Sequence, residues 1–202
     1  HRAGTCMRIG PRRHRWEFQL LDGESAPDFG SVQALRPLID PWTAGIGDGD
    51  LRLIRVAEYT FRAQIADRWR ADRVFLLGDA AHLTPPFIGQ GLGAGMRDAM
   101  NLSWKLAAVL SGDMAPDVLD TYQHERRPHA RHMIAMALGV GRAMTAGGNV
   151  GNLTRRLVAP RLHLIPGLRA KFTDSTTPRL HRSALVRRSL SGSGLTGRLC
   201  PN

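Results

Sequence analysis

The chain is poor in cysteine and lysine, and it has no hydrophobic run long enough to cross a bilayer. Its two cysteines, Cys6 and Cys200, stand near opposite ends without the spacing of metal ligands, which argues against a zinc site or a disulfide framework. No basic and apolar leader opens the sequence. These absences predict a cytoplasmic protein with no metal and no membrane contact. The first residue is His1 rather than Met, which favours a piece of a longer protein.

Positive charge is abundant, but it is almost wholly arginine. The net charge is +11, and Lys105 and Lys171 are the only lysines. Residues 155–202 carry ten basic residues and a single acid, Asp174, whereas the rest of the chain is nearly balanced. Aromatic residues make up 6% of the chain, and no nucleic-acid recognition motif accompanies the charge. We therefore expect no nucleic-acid partner, although an arginine-rich binding fragment without catalytic activity stays open as an alternative.

Alternating apolar and polar residues predict strands within the first seventy residues. Residues 5–9 and 14–21 flank a Gly-Pro turn and are predicted to pair as a hairpin. Residues 59–65 alternate in the same way and predict a further strand. Between them, residues 32–39 are predicted to form a short helix that ends near Asp40 and Pro41.

Helical spacing dominates the chain from residue 92 onward. Residues 92–109 predict one helix, which Ser111-Gly112 should end. A second helix is predicted to begin near Pro116 and to break or kink at Pro128. A further helix through residues 133–140 should follow, before Gly147-Gly148 closes the packed region. From residue 149 onward, prolines and glycines interrupt every periodic run and predict short helices, loops or partial disorder.

The segment Gly78-Asp79-Ala80-Ala81-His82 is the strongest candidate site. It follows an apolar run, residues 73–77, which predicts a short buried strand with Asp79 at its carboxyl end. A carboxylate there can accept hydrogen bonds from ribitol or sugar hydroxyls. The glycines at positions 89, 91, 93 and 95 would leave amides free at the start of the next helix, where negative charge is favoured. The pattern predicts a site for a flavin or a polyol phosphate, and an ordinary strand-to-helix turn capped by Asp79 is the alternative.

This segment and its surroundings resemble the single-component, FAD-dependent aromatic hydroxylases. The resemblance spans residues 5–146, and it is most similar to the branch that acts on 3-(3-hydroxyphenyl)propionate and 3-hydroxycinnamate. The motifs that carry it are Arg73-Val74-Phe75-Leu76-Leu77-Gly78-Asp79-Ala80-Ala81-His82, Pro85-Pro86, Gly89-Gln90-Gly91-Leu92, Arg97-Asp98-Ala99-Met100-Asn101-Leu102, Trp104-Lys105-Leu106-Ala107, and Tyr122 with Glu125-Arg126-Arg127-Pro128.

The resemblance implies an α/β (α+β) fold in three parts. Residues 1–70 would form the C-terminal part of a mixed-sheet substrate domain, and residues 71–146 part of the FAD-binding domain. Residues 147–202 would be a basic helical and loop connector that leads towards a further domain.

The resemblance also implies roles for individual residues. Asp79 would bind the ribitol of FAD, and the backbone of Pro85 and Pro86 would lie between flavin and substrate. Arg62 and Gln64 are candidates to hold the substrate carboxylate, and no single catalytic residue is identified. The residues expected to bind FAD are Gly78, Asp79, Ala80, Pro86, Gly89, Gln90, Gly91 and Leu92. His82 is expected to be a structural hydrogen-bonding group rather than a base, and Tyr122, Glu125 and Arg126 to hold helices together.

The chemistry implied is hydroxylation of a small aromatic substrate. In the family, NADH or NADPH reduces FAD, and dioxygen forms a flavin C4a-hydroperoxide that delivers oxygen to a phenol ring. A flavin hydroxylase of another phenol or of a polyketide is an alternative, and a homo-oligomer stays open. The family's N-terminal strand with its G-x-G-x-x-G phosphate turn, which precedes these motifs in relatives, is missing, and Gly93-Ala94-Gly95 replaces a segment where many relatives have an Asn. The isolated chain is therefore expected to bind FAD poorly and to be inactive.

Overall fold

The computed structural model describes residues 2–145 and 178–187. The chain divides into two compact units, His1–Thr60 and Phe61–Asn202. The predicted Gly147-Gly148 closure lies outside the described residues, as does all of the predicted 147–202 connector except residues 178–187.

The first unit opens with the predicted hairpin. Strands β1 (Gly4–Gly10) and β2 (Arg13–Phe18) pair antiparallel, with Thr5 opposite Glu17 and an irregular register between Arg8 and Gly10. The hairpin prediction is confirmed, although β2 ends at Phe18 rather than at residue 21.

Helix α1 (Val32–Thr43) begins as predicted but continues past the predicted stop at Asp40 and Pro41. The Ser31 side chain caps its first turn by accepting a hydrogen bond from the amide of Ala34 at 3.1 Å. Pro41 removes one backbone donor, yet the last turn is buried at Ile39 and Thr43. The Thr43 hydroxyl also donates to the carbonyl of Ile39 at 3.1 Å. Burial and this side-chain bond keep the turn helical where proline alone would end it.

The predicted strand over residues 59–65 is wrong for most of its length. Only β3 (Gln64–Ile65) is a strand, and it pairs antiparallel with β6 (His82–Leu83). Residues 52–64 are largely exposed, and residues 51–63 belong to none of the strands in the described part of the chain. Period-two alternation marks a possible strand, but only a neighbouring strand supplies the backbone hydrogen bonds that make one.

The predicted strand over residues 73–77 is also shorter in the structure. It consists of β5 (Val74–Phe75), which pairs antiparallel with β4 (Arg70–Ala71). The described residues form three sheets, and each sheet has two strands.

Two long helices form most of the second unit. Helix α2 (Gly91–Leu110) confirms the predicted helix and ends at Ser111, with Gly112 at φ +82°. A 3₁₀ helix, Pro116–Leu119, then leads into α3 (Asp120–Thr145). None of the described helices combines the length and the apolar composition needed to cross a membrane.

The predicted helix break at Pro128 does not occur, because α3 runs through this residue. Proline removes the backbone bond to the preceding turn. The buried residues of α3 nevertheless form one stripe on both sides of Pro128, and packing of that stripe keeps the two halves in one helix. The stripe consists of Tyr122, Glu125, Arg126, His129, Ala130, Met133, Ile134 and Ala137.

The core of the second unit lies between α2, α3 and the short strands. Trp69 is fully buried, stacks on His82 with ring centroids 5.4 Å apart, and also contacts the ring of Tyr122. The Tyr122 hydroxyl donates to the carbonyl of Leu76 at 2.9 Å, so the last residues before Gly78 are tied to α3.

Helix α2 has an unusual polarity. Asp98 and Lys105 are 0% exposed, whereas Leu92 is 80% and Met100 69% exposed. The charged residues of this helix therefore face the interior of the unit, where buried charge requires partners. Those partners determine the geometry of the candidate site.

Candidate functional site

The Gly78–Ala80 segment is a short 3₁₀ helix rather than the bare strand tip that the sequence predicts. Gly78 adopts φ +57°, a left-handed conformation that glycine tolerates best. A Cβ built on Gly95 would lie 3.3 Å from the Cα of Gly78. Two glycines therefore let this segment, which we call the Gly78 turn, rest directly on helix α2.

The carboxylate of Asp98 on helix α2 binds the backbone of the Gly78 turn. Its Oδ2 accepts a hydrogen bond from the amide of Gly78 at 3.1 Å and lies 2.7 Å from Nε2 of His82. Its Oδ1 accepts a bond from Nε of Arg126 at 2.8 Å. Arg126 also donates from Nη2 to the carbonyl of Ala94 at 3.3 Å. One buried ion pair thus connects the turn, α2 and α3.

The protonation states in this cluster follow from burial and charge. Burial by itself raises the pKa of Asp98, but the bonds from His82 and Arg126 outweigh it and hold that pKa below its ordinary value. Burial, together with the positive charge of Arg126, lowers the pKa of nearby His129 to about 3. Asp98 is therefore a carboxylate and His129 a neutral imidazole near pH 7.

An open cleft of about 490 Å³ lies beside the Gly78 turn. Asp79 and Ala80 form part of its wall, and Gln64 of strand β3 lines the same cleft. The structure thus brings together two of the predicted cofactor residues and one of the two predicted substrate residues. Arg62 is exposed and does not line this cleft.

The Asp79 carboxylate is exposed, and it forms no hydrogen bond or ion pair with another residue in the described ranges 2–145 and 178–187. A carboxylate in this position is free to accept hydrogen bonds from ligand hydroxyls.

The predicted glycine-rich residues form the entrance to helix α2. Pro86–Ile88 is a 3₁₀ turn, Gly89 follows it at φ +63°, and Gln90 is the N-cap residue of α2. Within residues 2–145 and 178–187 no side chain caps this helix end, which leaves its first amides for a negatively charged or electron-rich group. A Cβ at Gly89 or Gly91 would meet no atom within 4 Å. The open space and the free amides fit an extended planar ligand edge.

The other predicted residues at this entrance differ in accessibility. Pro85 is buried, whereas Pro86 and Leu92 are exposed. The Gln90 side chain is already engaged, because its Oε1 accepts a bond from Nη2 of Arg97 at 3.2 Å. Gln90 can therefore serve a ligand more readily through its backbone than through its amide group.

Sequence reasoning assigned no role to Asp98, Phe87 or Gly141. Asp98 lies seven residues before Lys105, so the two charges share one helical face with apolar Leu102, and this spacing was the available signal. The ring of Phe87 packs directly against Gly141 of α3, because a Cβ on Gly141 would lie 2.5 Å from that ring. Nothing in the local sequence announces this contact, because its two residues are far apart along the chain.

The expected structural roles of the helix residues agree with the geometry. His82 is buried and bonds Asp98, and Tyr122 bonds the backbone at Leu76. Glu125 accepts bonds at Oε2 from Lys105 and Asn101, each at 2.8 Å, and at Oε1 from Ser183 at 2.5 Å. These bonds link α2, α3 and residues 178–187 into one framework.

Comparison with known proteins gives consistent matches. A family model described as FAD binding domain matches residues 32–137. The 3-(3-hydroxy-phenyl)propionate/3-hydroxycinnamic acid hydroxylase 2 of Burkholderia vietnamiensis is 37% identical over an alignment of 202 positions, which covers 98% of this chain and 36% of that protein. The probable NADH-specific resorcinol 4-hydroxylase of Rhodococcus jostii is 44% identical over 142 residues, 70% of this chain and 26% of that protein.

A solved structure gives the same picture. Aklavinone-11 hydroxylase, in a ternary complex with FAD and aklavinone, shares 36% identity and a TM-score of 0.56 over 65% of this chain and 24% of that one. The chain covers 36% of the length of the first of these curated relatives and 26% of the second. Because the domain match covers more than half of the chain and these relatives share its sequence, the chain belongs to the FAD-binding-domain family of the class A, FAD-dependent aromatic hydroxylases.

Proposed function

We propose that this chain forms the ribitol and ring side of the FAD cleft in a monooxygenase that hydroxylates a small phenol. The observation that carries the proposal is the Gly78 turn. It presents an Asp79 carboxylate that pairs with none of the described residues, while Gly78 rests on Gly95 of a helix whose first amides are capped by no side chain of those residues. A ligand with hydroxyl groups at one end and an electron-rich ring edge at the other matches both features.

Each predicted residue has a physical task in this proposal. Asp79 would accept hydrogen bonds from ribitol hydroxyls, and Gly78 and Ala80 would let the ligand approach the backbone. The amides of Gly91 and Leu92 would face the electron-rich edge of the flavin ring and favour negative charge there. The remaining residues, Pro85, Pro86, Gly89 and Gln90, would shape the wall between the ring and the substrate.

When bound, FAD would accept electrons from NADH or NADPH and activate dioxygen, as the family resemblance implies. The residues of this chain would orient the aromatic ring, exclude water from the cleft and stabilise charge on the cofactor. Gln64, in the cleft beside Asp79, is the better placed of the two substrate candidates. A substrate that resembles 3-(3-hydroxyphenyl)propionate is supported by the relative that covers nearly the whole chain.

We further propose that the complete polypeptide is longer than these 202 residues and that the phosphate-binding turn lies in its additional sequence. The relatives matched here are nearly three times as long. In this arrangement, residues 71–146 contribute the Gly78 turn and the two long helices to the FAD domain. Residues 1–70 contribute to the substrate side, and residues 147–202 lead into the following sequence.

The test is an assay of the protein encoded by the complete gene. It should purify with FAD, and it should oxidise NADH or NADPH faster with its own phenol than without it, yielding a product with one added oxygen. The panel should contain 3-(3-hydroxyphenyl)propionate, 3-hydroxycinnamate and resorcinol, with benzoate as a control that lacks the phenol hydroxyl. A protein without FAD, or nicotinamide oxidation that yields no hydroxylated product with any phenol, would overturn the proposal.

A polyketide substrate is the second candidate. It is favoured by the 36% identity and the TM-score of 0.56 shared with aklavinone-11 hydroxylase. Adding aklavinone to the same panel separates the two, because a cleft shaped for one small ring should not turn over a four-ring substrate at a comparable rate. Turnover of aklavinone alone would assign the polyketide class.

A further inference from the structure

We infer that Asp98 is a positioning residue for the cofactor, which it does not touch: its carboxylate holds the Gly78 turn so that Asp79 is presented correctly to the ribitol hydroxyls. This inference rests on the proposed function. It adds a residue to the site that acts only through the backbone of the turn.

The position of Asp79 depends on the backbone of the Gly78 turn. Its side chain has no partner among the described residues, so none of their side chains orients the carboxylate. Its location is therefore determined by the backbone of the Gly78 turn. Any group that fixes this backbone also fixes the ligand-facing carboxylate.

The second step concerns the bonds that fix the turn. Oδ2 of Asp98 is bonded to the amide of Gly78 and lies 2.7 Å from Nε2 of His82, so one oxygen holds both ends of the segment that contains Asp79. His82 is further held by its stack on Trp69. The five-residue segment from Gly78 to His82 is thus clamped at both ends on one buried atom.

The third step connects this clamp to the helix entrance. Oδ1 of Asp98 binds Arg126, which in turn binds the carbonyl of Ala94 within the first turns of α2. The close contact between Gly78 and Gly95 lies beside these bonds. The same network therefore sets the distance between Asp79 and the uncapped amides at the start of α2, which are the two features proposed to hold one ligand.

The fourth step is electrostatic. Asp98 is completely buried, and its charge is matched by Arg126 inside the same unit. An Asn at this position would keep one oxygen acceptor but would leave Arg126 buried without a counter-charge and would present an NH₂ group to one of the present donors. Loss of the bond to Gly78 or His82 would release one end of the five-residue segment that contains Asp79.

A double-mutant cycle in the protein from the complete gene tests the inference. FAD dissociation constants are measured by flavin fluorescence for wild type, Asp98→Asn, Asp79→Ala and the double variant, with thermal unfolding recorded for each. Asp98→Asn should weaken FAD binding by about tenfold, as is typical of a group that orients a direct ligand contact. In the Asp79→Ala background the same change should cost only about twofold, because the carboxylate it positions is gone. Asp113→Asn, an exposed control, should leave the dissociation constant unchanged.

A purely structural Asp98 would give a different result: it would lower the thermal midpoint and weaken FAD binding by the same factor in both backgrounds, which overturns the inference. A wild-type protein that binds no FAD would instead overturn the proposed function.

If Asp98→Asn does not fold, a pair of variants at His82 provides the same test. His82→Gln keeps a donor for Asp98, whereas His82→Phe keeps only a ring to stack on Trp69. FAD affinity should stay near the wild-type value in the first variant and fall about tenfold in the second. Equal affinities in the two variants would contradict the inference.

Discussion

Charged side chains occupy the best-buried positions of the second unit. Asp98, Lys105, Glu125 and Arg126 are all almost completely buried, and each has an oppositely charged partner. Such pairs add little net stability relative to apolar residues of the same size, because both charges lose their hydration. They are costly to break singly, however, and they restrict how neighbouring elements fit together. At the scale of residues, this framework determines geometry more than it determines stability.

The Lys105 and Glu125 pair gives a direct prediction. Lys105→Met should lower the free energy of unfolding by about 3–5 kcal/mol, because Glu125 would remain buried without its cation. The double variant Lys105→Met/Glu125→Gln should recover part of this loss. Arg15→Gln, which breaks the exposed pair with Glu17, should cost less than about 1 kcal/mol. Urea unfolding measures all three, and equal losses in the buried and exposed single variants would refute the prediction.

His129 predicts a pH dependence of stability. Its pKa is about 3 in the folded protein and 6.5 ordinarily, because burial and the charges of Arg126 and Arg97 disfavour the imidazolium. Below pH 6.5 the unfolded chain takes up a proton that the folded protein does not. Stability from this group is therefore complete above pH 6.5 and falls with acidification, by at most about 1.4 kcal/mol per pH unit.

The measurement is urea unfolding at pH 7 and pH 5. His129→Gln should lose less stability between these values than wild type. The lowered pKa of Asp98 takes effect only below the ordinary Asp range, outside this window. A variant with the same pH slope as wild type would show that another group is responsible.

At the scale of elements, small residues and side-chain clamps determine how segments meet. The Gly78 turn meets α2 at Gly95, and the Pro86–Ile88 turn meets α3 at Gly141. Residues 178–187 contact α3 through the hydroxyl of Ser183, which donates a hydrogen bond to Glu125. The same hydroxyl accepts hydrogen bonds from the amides of Leu185 and Val186, each at 3.0 Å. Each junction leaves no room for a larger side chain or depends on one polar group, so single substitutions can test it.

The contact between Gly141 and Phe87 provides a matched pair of variants on one helix. Gly139→Ala should stabilise the protein by about 0.5–1 kcal/mol, because α3 gains helix propensity and its new Cβ meets open space. Gly141→Ala should be destabilising instead, since its Cβ would lie 2.5 Å from the Phe87 ring. Thermal unfolding compares them. A similar gain at both positions would mean that Phe87 can move aside at no cost.

At the scale of the whole molecule, the chain combines the proposed ribitol and ring side of a cofactor site with a strongly basic C-terminal sequence. The exposed face of α2 is largely apolar, while the net charge of +11 is concentrated in residues 155–202. The family match covers residues 32–137 and thus includes the whole Gly78 turn and most of both long helices. The phosphate-binding half is proposed to lie in additional sequence of the complete polypeptide.

The isolated 202-residue chain should therefore purify without stoichiometric flavin. Its proposed site would offer hydrogen bonds to ribitol and ring, but the described residues 2–145 and 178–187 include no turn of the G-x-G-x-x-G type for the pyrophosphate, which contributes much of the binding of a dinucleotide. The absorbance spectrum after purification in the presence of excess FAD measures the retained cofactor. The protein from the complete gene, treated identically, is the control. A yellow isolated chain with one FAD per molecule would contradict this expectation.

The sequence predicted elements well where the local pattern was sufficient. Helix α2 and the first hairpin were predicted because periodicity and turn residues specify them within a few neighbouring positions. Residues 59–63 and the helix through Pro128 were predicted wrongly for one reason. A strand forms only beside a neighbouring strand, and a helix continues through proline only when packing on both sides of the proline holds it. Both conditions depend on residues far away in the chain.

The amino-acid sequence by itself determined the family resemblance, the position of the Gly78 turn before a long helix, and the expectation of a flavin-type ligand. Those properties depend on motifs whose members are close together along the chain. Only the tertiary structure decided that Asp98 clamps this turn, that Gln64 shares the cleft with Asp79, and that Gly141 receives Phe87. Each of these contacts joins residues distant in sequence, and burial rather than local propensity gives them their energetic weight.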